Sequence, residues 1–389
     1  MKFPSALLAP LLSLFLPSLL AADELPALRQ AQIKGLLVVE LANGEHAGVA
    51  SQMNATVVPS HEQRFEIAFN QNVGELMEMA TDEVLKFIHV RYPDKLPADK
   101  RIELAFSDKY SPKDGPSAAV VSALLCDSVL SGRKIDPGFA ATGDMTATGE
   151  VRPVGGVPSK ISGAVKKNCT IIGVPEANAN SITDSYLLDG IKALYAIQIF
   201  TLKDFDQARD LSGLERSPEL AQALTEFAAV QEVLARSEKY VFNAKVLEKL
   251  RNVVKLAPNH HSARLLYLHG TRQAPRILSL AGSIRGIDQA SIELLQMIND
   301  GSYKNTSGNQ DVLFKLSSRL NQLGPSLDKK TKPYARSLLA LAEEIDKVRE
   351  KSIITMQIRR EFEAKANRVD TERASLLNDK AVREELMMD

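Results

Sequence analysis

The sequence predicts an α+β domain over about residues 33–210, followed by an all-α region over 217–389. Three observations predict it. Short strand-like runs, residues 35–41 and 65–69 among them, open the chain before any helical period appears. Two turns rich in glycine and proline, Asp114-Gly115-Pro116 and Pro153-Val154-Gly155-Gly156-Val157-Pro158, each feed an apolar helical run. From Ser217 the composition shifts to Ala, Leu, Glu, Lys and Gln at helical periods.

The N-terminus reads as a targeting segment. Lys2 supplies a positive start, residues 6–20 are mainly apolar, and Ala21-Ala22 precede Asp23-Glu24. This is the pattern of a signal peptide over residues 1–22, cut near Ala21 or Ala22, and it predicts an exported protein, periplasmic or extracellular. An uncleaved anchor is the alternative, disfavoured by Pro10 and Pro17 in a short stretch. Beyond it, Asn43-Gly44 is a turn signal, residues 46–53 and 55–58 are two strands, and Pro59 closes the second. A helix over 74–89 follows from Leu76, Met79, Ala80, Val84, Leu85 and Ile88 at helical spacing, then a strand over 101–106.

The stretch from Ser111 to Ala119 organises what comes next. Asp114-Gly115 is turn chemistry, Pro116 suits a first helical turn, and the apolar run from Ser117 closes at Gly132. A serine at a helix start most often only caps it, but free N–H groups there can also hold an oxyanion beside a nucleophile. Residues 140–150 read as strand, turn and strand, and Pro158 opens a second helix through Asn168. Ile161, Ala164 and Val165 form its apolar stripe; Lys160 lies at the stripe's edge and Lys166 opposite. A lysine so placed reaches inward. Burial disfavours its charged form, and a neutral amine can take a proton from a serine hydroxyl. A lone lysine would ordinarily be read as a solvated surface group.

The combination resembles the proteolytic domain of the Lon protease family, over roughly residues 33–210. The residues carrying the resemblance are Pro112-Lys113-Asp114-Gly115-Pro116-Ser117-Ala118, Thr142-Gly143-Asp144, and Pro153-Val154-Gly155-Gly156 with Lys160 four positions on. Residues 169–178 and 197–202 resemble the strand, the P-x-x-N turn and the last strand that follow. The resemblance implies Ser117 as nucleophile, Lys160 as general base and Thr142 as the residue that holds the lysine. It also implies polypeptide substrates and a homo-oligomer. Three departures touch substrate preference: Ala119 stands where the family usually has glycine, Asp144 where it commonly has glutamate, and Glu103-Leu104-Ala105-Phe106 where a histidine-bearing strand is frequent.

Composition excludes several other classes. Lys+Arg and Asp+Glu both number 48, which gives no electrostatic reason to expect nucleic acid. The two cysteines, Cys126 and Cys169, are too few for a disulfide framework and read as buried thiols, with one disulfide as the alternative. The six histidines show no ligand spacing, so neither a metal nor a cofactor is expected. No phosphate-loop motif occurs, which predicts no use of ATP.

The all-α region reads as helices over 218–238, 243–255, 261–268, 288–299, 311–323 and 332–347, with a long charged helix to the end and a loop over 301–309. Residues 250–264 resemble one tetratricopeptide helix junction, with no second period. The function expected is an exported, ATP-independent serine endopeptidase that cleaves extended or unfolded polypeptides. The alternative is an inactive peptidase-like scaffold that binds a protein partner through its helical region.

Overall fold

The structure is a computed structural model, and it describes residues 27–40, 46–108, 113–302, 309–349 and 355–386. The signal-peptide segment, the Asn43-Gly44 turn, Ser111-Pro112 and most of the 301–309 loop lie outside the described residues.

The strands are β1 (Gln30–Glu40), β2 (His46–Pro59), β3 (Glu66–Phe69), β4 (Lys100–Phe106), β5 (Phe139–Ala141), β6 (Asp144–Met145), β7 (Val151–Arg152), β8 (Ile171–Pro175) and β9 (Gln198–Leu202). Among the described residues seven of them form one mixed sheet in the order β3-β4-β2-β1-β5-β8-β9, and β6 and β7 pair separately as a small hairpin. The long β1–β2 pair is antiparallel, with Gly35 opposite Ser51; β5, β8 and β9 extend it in parallel. The two strands expected over 46–58 are one strand of 14 residues. Asn54 does not break it. Its side chain lies on the half-exposed face, accepting from Gln52, while Met53 and Ala55 on either side point into the core.

Helices α1 (Glu75–Arg91), α2 (Ala119–Ser131), α3 (Val157–Lys166), α4 (Ala179–Asp189), α5 (Lys192–Tyr195) and α6 (Phe205–Ser212) are threaded between the strands. α2 is buried from Ala119 to Leu130 and stops at Gly132, whose φ of 78° lies in the left-handed region that glycine tolerates. A helix apolar all round needs cover on every side, and α2 gets it from β1, β2, α1 and α6. Its one buried carboxylate, Asp127, is fully partnered. It accepts from Arg91 Nε at 3.1 Å, Tyr92 Oη at 2.8 Å and Arg209 Nε at 2.8 Å. Removing one member of such a buried set leaves the others uncompensated. Asp127→Ala is therefore expected to lower stability by about 3 kcal/mol, read as a fall in the urea midpoint.

The helical region comprises α7 (Pro218–Arg236), α8 (Ala244–Leu256), α9 (His261–Gly270), α10 (Leu280–Asn299), α11 (Asn309–Leu323), α12 (Lys332–Arg349), α13 (Met356–Leu376) and α14 (Lys380–Leu386). Two differences from the sequence expectation have local causes. α10 starts eight residues before 288, because Gly282 and Gly286, which weaken the helical pattern, are contact sites. A Cβ on Gly282 would stand 2.2 Å from Asp184 Cγ, and one on Gly286 would stand 3.0 Å from Leu188 Cδ2. The charged segment expected as one helix to the end is two, α13 and α14, separated at residues 377–379. One hydrophobic core runs from Ile33 in β1 to Leu266 in α9, so α7–α9 share it with the sheet; a second core joins α10–α13.

The junction is dense. The turn before α9 lies along β9: Thr201 N donates to Asn259 O at 2.9 Å, Asn259 Nδ2 to Thr201 O at 3.0 Å, and Ile199 N to Ser262 Oγ at 3.1 Å. His260 is fully buried between the rings of Phe200 and Phe227, each 4.3 Å away. Burial pulls its pKa down to about 3, so it serves as a neutral packing group.

Candidate active site

Ser117 does not open α2. It sits one step earlier, on a 3-10 turn over Pro116–Ala118, directly after Gly115 at φ 96°. The turn is anchored to the start of α1: Asp114 Oδ1 accepts from Met77 N at 3.2 Å and from Gly115 N at 2.7 Å, and Gly74 N donates to Lys113 O at 2.8 Å. Ser117 is half-buried. The first N–H groups of α2 are already used. Ala119 N donates to Pro116 O, and Val120 N to Gly143 O at 3.2 Å. The start of α2 therefore offers fewer free N–H groups than the sequence reading expects.

Lys160 comes from α3. Gly156, at φ 67°, turns the chain into that helix and its carbonyl accepts from Lys160 N at 3.0 Å. At Gly48 and Gly163, α3 lies on β2 with no side chain between them. A Cβ on Gly48 would stand 1.6 Å from Ser159 O, and one on Gly163 would stand 2.4 Å from Gly48 C. Backbone against backbone, the helix has one depth available, and that depth sinks Lys160 to 2% exposure while Lys166 stays in solvent.

Thr142 ties the two together. It is fully buried at the end of β5, with its N–H on Gly173 O at 3.1 Å. Its hydroxyl accepts from Lys160 Nζ at 3.2 Å and donates to Ser117 O at 3.3 Å. Gly143 N adds a second donor to the same Ser117 carbonyl at 3.0 Å. Lys160 and Ser117 thus meet through Thr142; among the described residues no hydrogen bond joins Lys160 Nζ to Ser117 Oγ directly. Burial pulls the Lys160 amine down to about 8, with Glu385 acting in the other direction. Asp144 lies next to this group on β6, where burial raises its carboxyl.

Residues 33–202 match the model of the Lon protease (S16) C-terminal proteolytic domain. That stretch is similar to a Lon-type proteolytic domain. Curated relatives agree over parts of it. The Lon protease of Fusobacterium nucleatum is 31% identical over 119 residues, 29% of this chain and 16% of that protein. The archaeal Lon protease of Thermococcus kodakarensis is 27% identical over 194 residues, 50% of this chain and 29% of that protein. The Lon protease of Salinispora arenicola is 36% identical over 87 residues, 22% of this chain and 11% of that protein. The chain therefore spans less than a third of the length of each of these relatives.

Two residues that contact the turn before α3 were not singled out from sequence. Asn178, at the start of α4, pairs with both backbone groups of Val154: Val154 N donates to its Oδ1 at 3.0 Å and its Nδ2 donates to Val154 O at 2.9 Å. Its place in a P-x-x-N turn was the available signal. Glu385, on α14, reaches the same turn from 229 positions after Gly156, and nothing local in the sequence marks it. Cys126 and Cys169 are both buried free thiols.

Proposed function

We propose that this protein is an exported, ATP-independent serine endopeptidase that cleaves extended or unfolded polypeptides through Ser117 and Lys160. The observation that carries this reading is the buried Lys160 amine, held by Thr142 against the serine turn and depressed to a pKa of about 8. In the reaction Ser117 Oγ attacks the peptide carbonyl and gives its proton to neutral Lys160 Nζ. Lys160 passes that proton to the leaving amine, then takes one from the water that hydrolyses the acyl-serine. In this reading the 3-10 turn that carries Ser117 supplies the N–H donor for the developing oxyanion. In free enzymes such a base commonly makes a long contact that tightens when substrate binds. The apolar segment over residues 6–20 supports export, and the lack of a phosphate-loop motif in this sequence supports independence of ATP.

The test uses the full chain with an unstructured polypeptide and no nucleotide. New amino termini should appear, and a peptide boronate, which adds to a nucleophilic serine oxygen and mimics the tetrahedral intermediate, should suppress them. No cleavage, or cleavage indifferent to the boronate, would overturn the reading and leave the partner-binding scaffold in its place.

A further inference from the structure

The second half of the chain returns to the active site through α14. Glu385 grips the turn that launches the Lys160 helix in two ways. Its backbone carbonyl accepts from Gly156 N at 3.1 Å. Its carboxylate accepts from Asn178 Nδ2 at 3.1 Å and from Ser181 Oγ, and Asn178 in turn clamps both backbone groups of Val154. Val154 and Gly156 are thus held by one residue, directly and through one intermediary. α14 is itself seated, with Val382 buried beside Ala281 and Ile284 of α10.

We propose that Glu385 is a positioning residue for Lys160, fixing the Val154–Gly156 turn from which that lysine's helix departs. Its catalytic consequence rests on the peptidase reading above; the grip itself does not. Val154 and Val157 anchor the two sides of the turn in the core, and the two glycines between them depend on backbone bonds. Gly155 and Gly156 have no side chains to pack, and Gly156 takes a left-handed φ that makes the turn's exit direction sensitive to its anchors. A base must stay within hydrogen-bond reach of its proton, so a loose turn costs rate.

The carboxylate also contributes charge. The charged groups around it are Arg285 from α10, Asp184 from α4 and Lys160 from α3. Burial and Asp184 raise the Glu385 carboxyl, while Ser181, Arg285 and Asn178 act to lower it. Towards Lys160 its negative charge favours the protonated amine, opposing burial.

Three variants in the full chain separate these contributions. Glu385→Gln keeps size and hydrogen bonding but loses the charge. Because kcat/KM needs neutral Lys160, its rise with pH should move to lower pH, with kcat above that limb nearly unchanged. Glu385→Ala loses the side-chain grip, and deletion of residues 379–389 loses both grips. The deletion should lower kcat at least about tenfold with KM little changed, and Glu385→Ala should fall between. Both should speed hydrogen exchange at the amides of residues 154–160, measured by mass spectrometry. Wild-type exchange there in both variants would overturn the proposal, as would an unmoved pH limb in Glu385→Gln together with unchanged kcat in the deletion. If the unaltered chain cleaves nothing, the peptidase reading fails, and the exchange measurement still decides whether Glu385 holds the turn.

Discussion

Replacing Lys160 with methionine, or Ser117 with alanine, is expected to lower kcat/KM for an unstructured peptide by about a thousandfold or more. The two losses should not add, because nucleophile and base act as one unit; the double variant should resemble either single one. The pH profile supplies a second signature. Lys160 works as a base only when neutral, so wild-type kcat/KM should rise as pH passes through about 8 and level off above it. Stability should rise with pH as well, over the range just above that limb. An ordinary lysine amine, as in the unfolded chain, holds its proton to about 10.5, whereas the buried Lys160 gives it up near 8. Between those values the unfolded chain binds the extra proton, so stability rises with pH there; below 8 the cost of confining the ammonium is felt in full. Lys160→Met should accordingly be more stable than wild type at pH 7, by about 2 kcal/mol, and the gap should close towards pH 10.5. Urea titrations at pH 7 and pH 10 check this. Wild-type activity in Lys160→Met, or a variant less stable at pH 7, would remove the lysine from its assigned role.

Gly48→Ala is the second large expectation, and it acts through the backbone of α3 rather than on a reacting side chain. The added methyl would need to occupy space 1.6 Å from Ser159 O and 2.8 Å from Lys160 N. Both are backbone atoms, so no side chain can swing aside. α3 must lift off β2, and overpacking of that kind costs about 3 kcal/mol. If the fold survives, Lys160 leaves its place beside Thr142 and kcat/KM falls by about a hundredfold. Urea midpoints and kinetics on the soluble fraction measure the two losses. Wild-type values for both would mean that the close approach does not set the depth of the helix.

The turns that bring Ser117, Thr142 and Lys160 together were largely legible in the sequence, because each is local. The Gly115 turn, the Thr142-Gly143 pair and the Gly155-Gly156 turn each announce a backbone requirement that few residues meet, and each lies close to a functional side chain. What the sequence hid depends on contacts between distant segments. Gly48 reads as one more small residue in a strand, and only the packed helix shows why it must be glycine. The placing of Ser117 one turn before α2 depends on Asp114 and Lys113 bonding to the start of α1, about forty positions earlier. α10 was read short because its glycines imitate a helix breaker, whereas they admit Asp184 and Leu188. Glu385 was invisible for the same reason: an acidic residue on a charged helix is, from sequence alone, an ordinary solvated one.

The binding of the Asn259–Ser262 turn along β9 bears on how the protein can be cut and how copies can meet. A strand at the margin of a sheet, left bare, invites another chain to zip onto it. Here the last strand's amides at Ile199 and Thr201 are already taken by the chain's own later segment. A fragment ending near residue 213 would strip that cover and should clump or pair through the uncovered margin. Any ring or dimer of intact copies must then use some other surface.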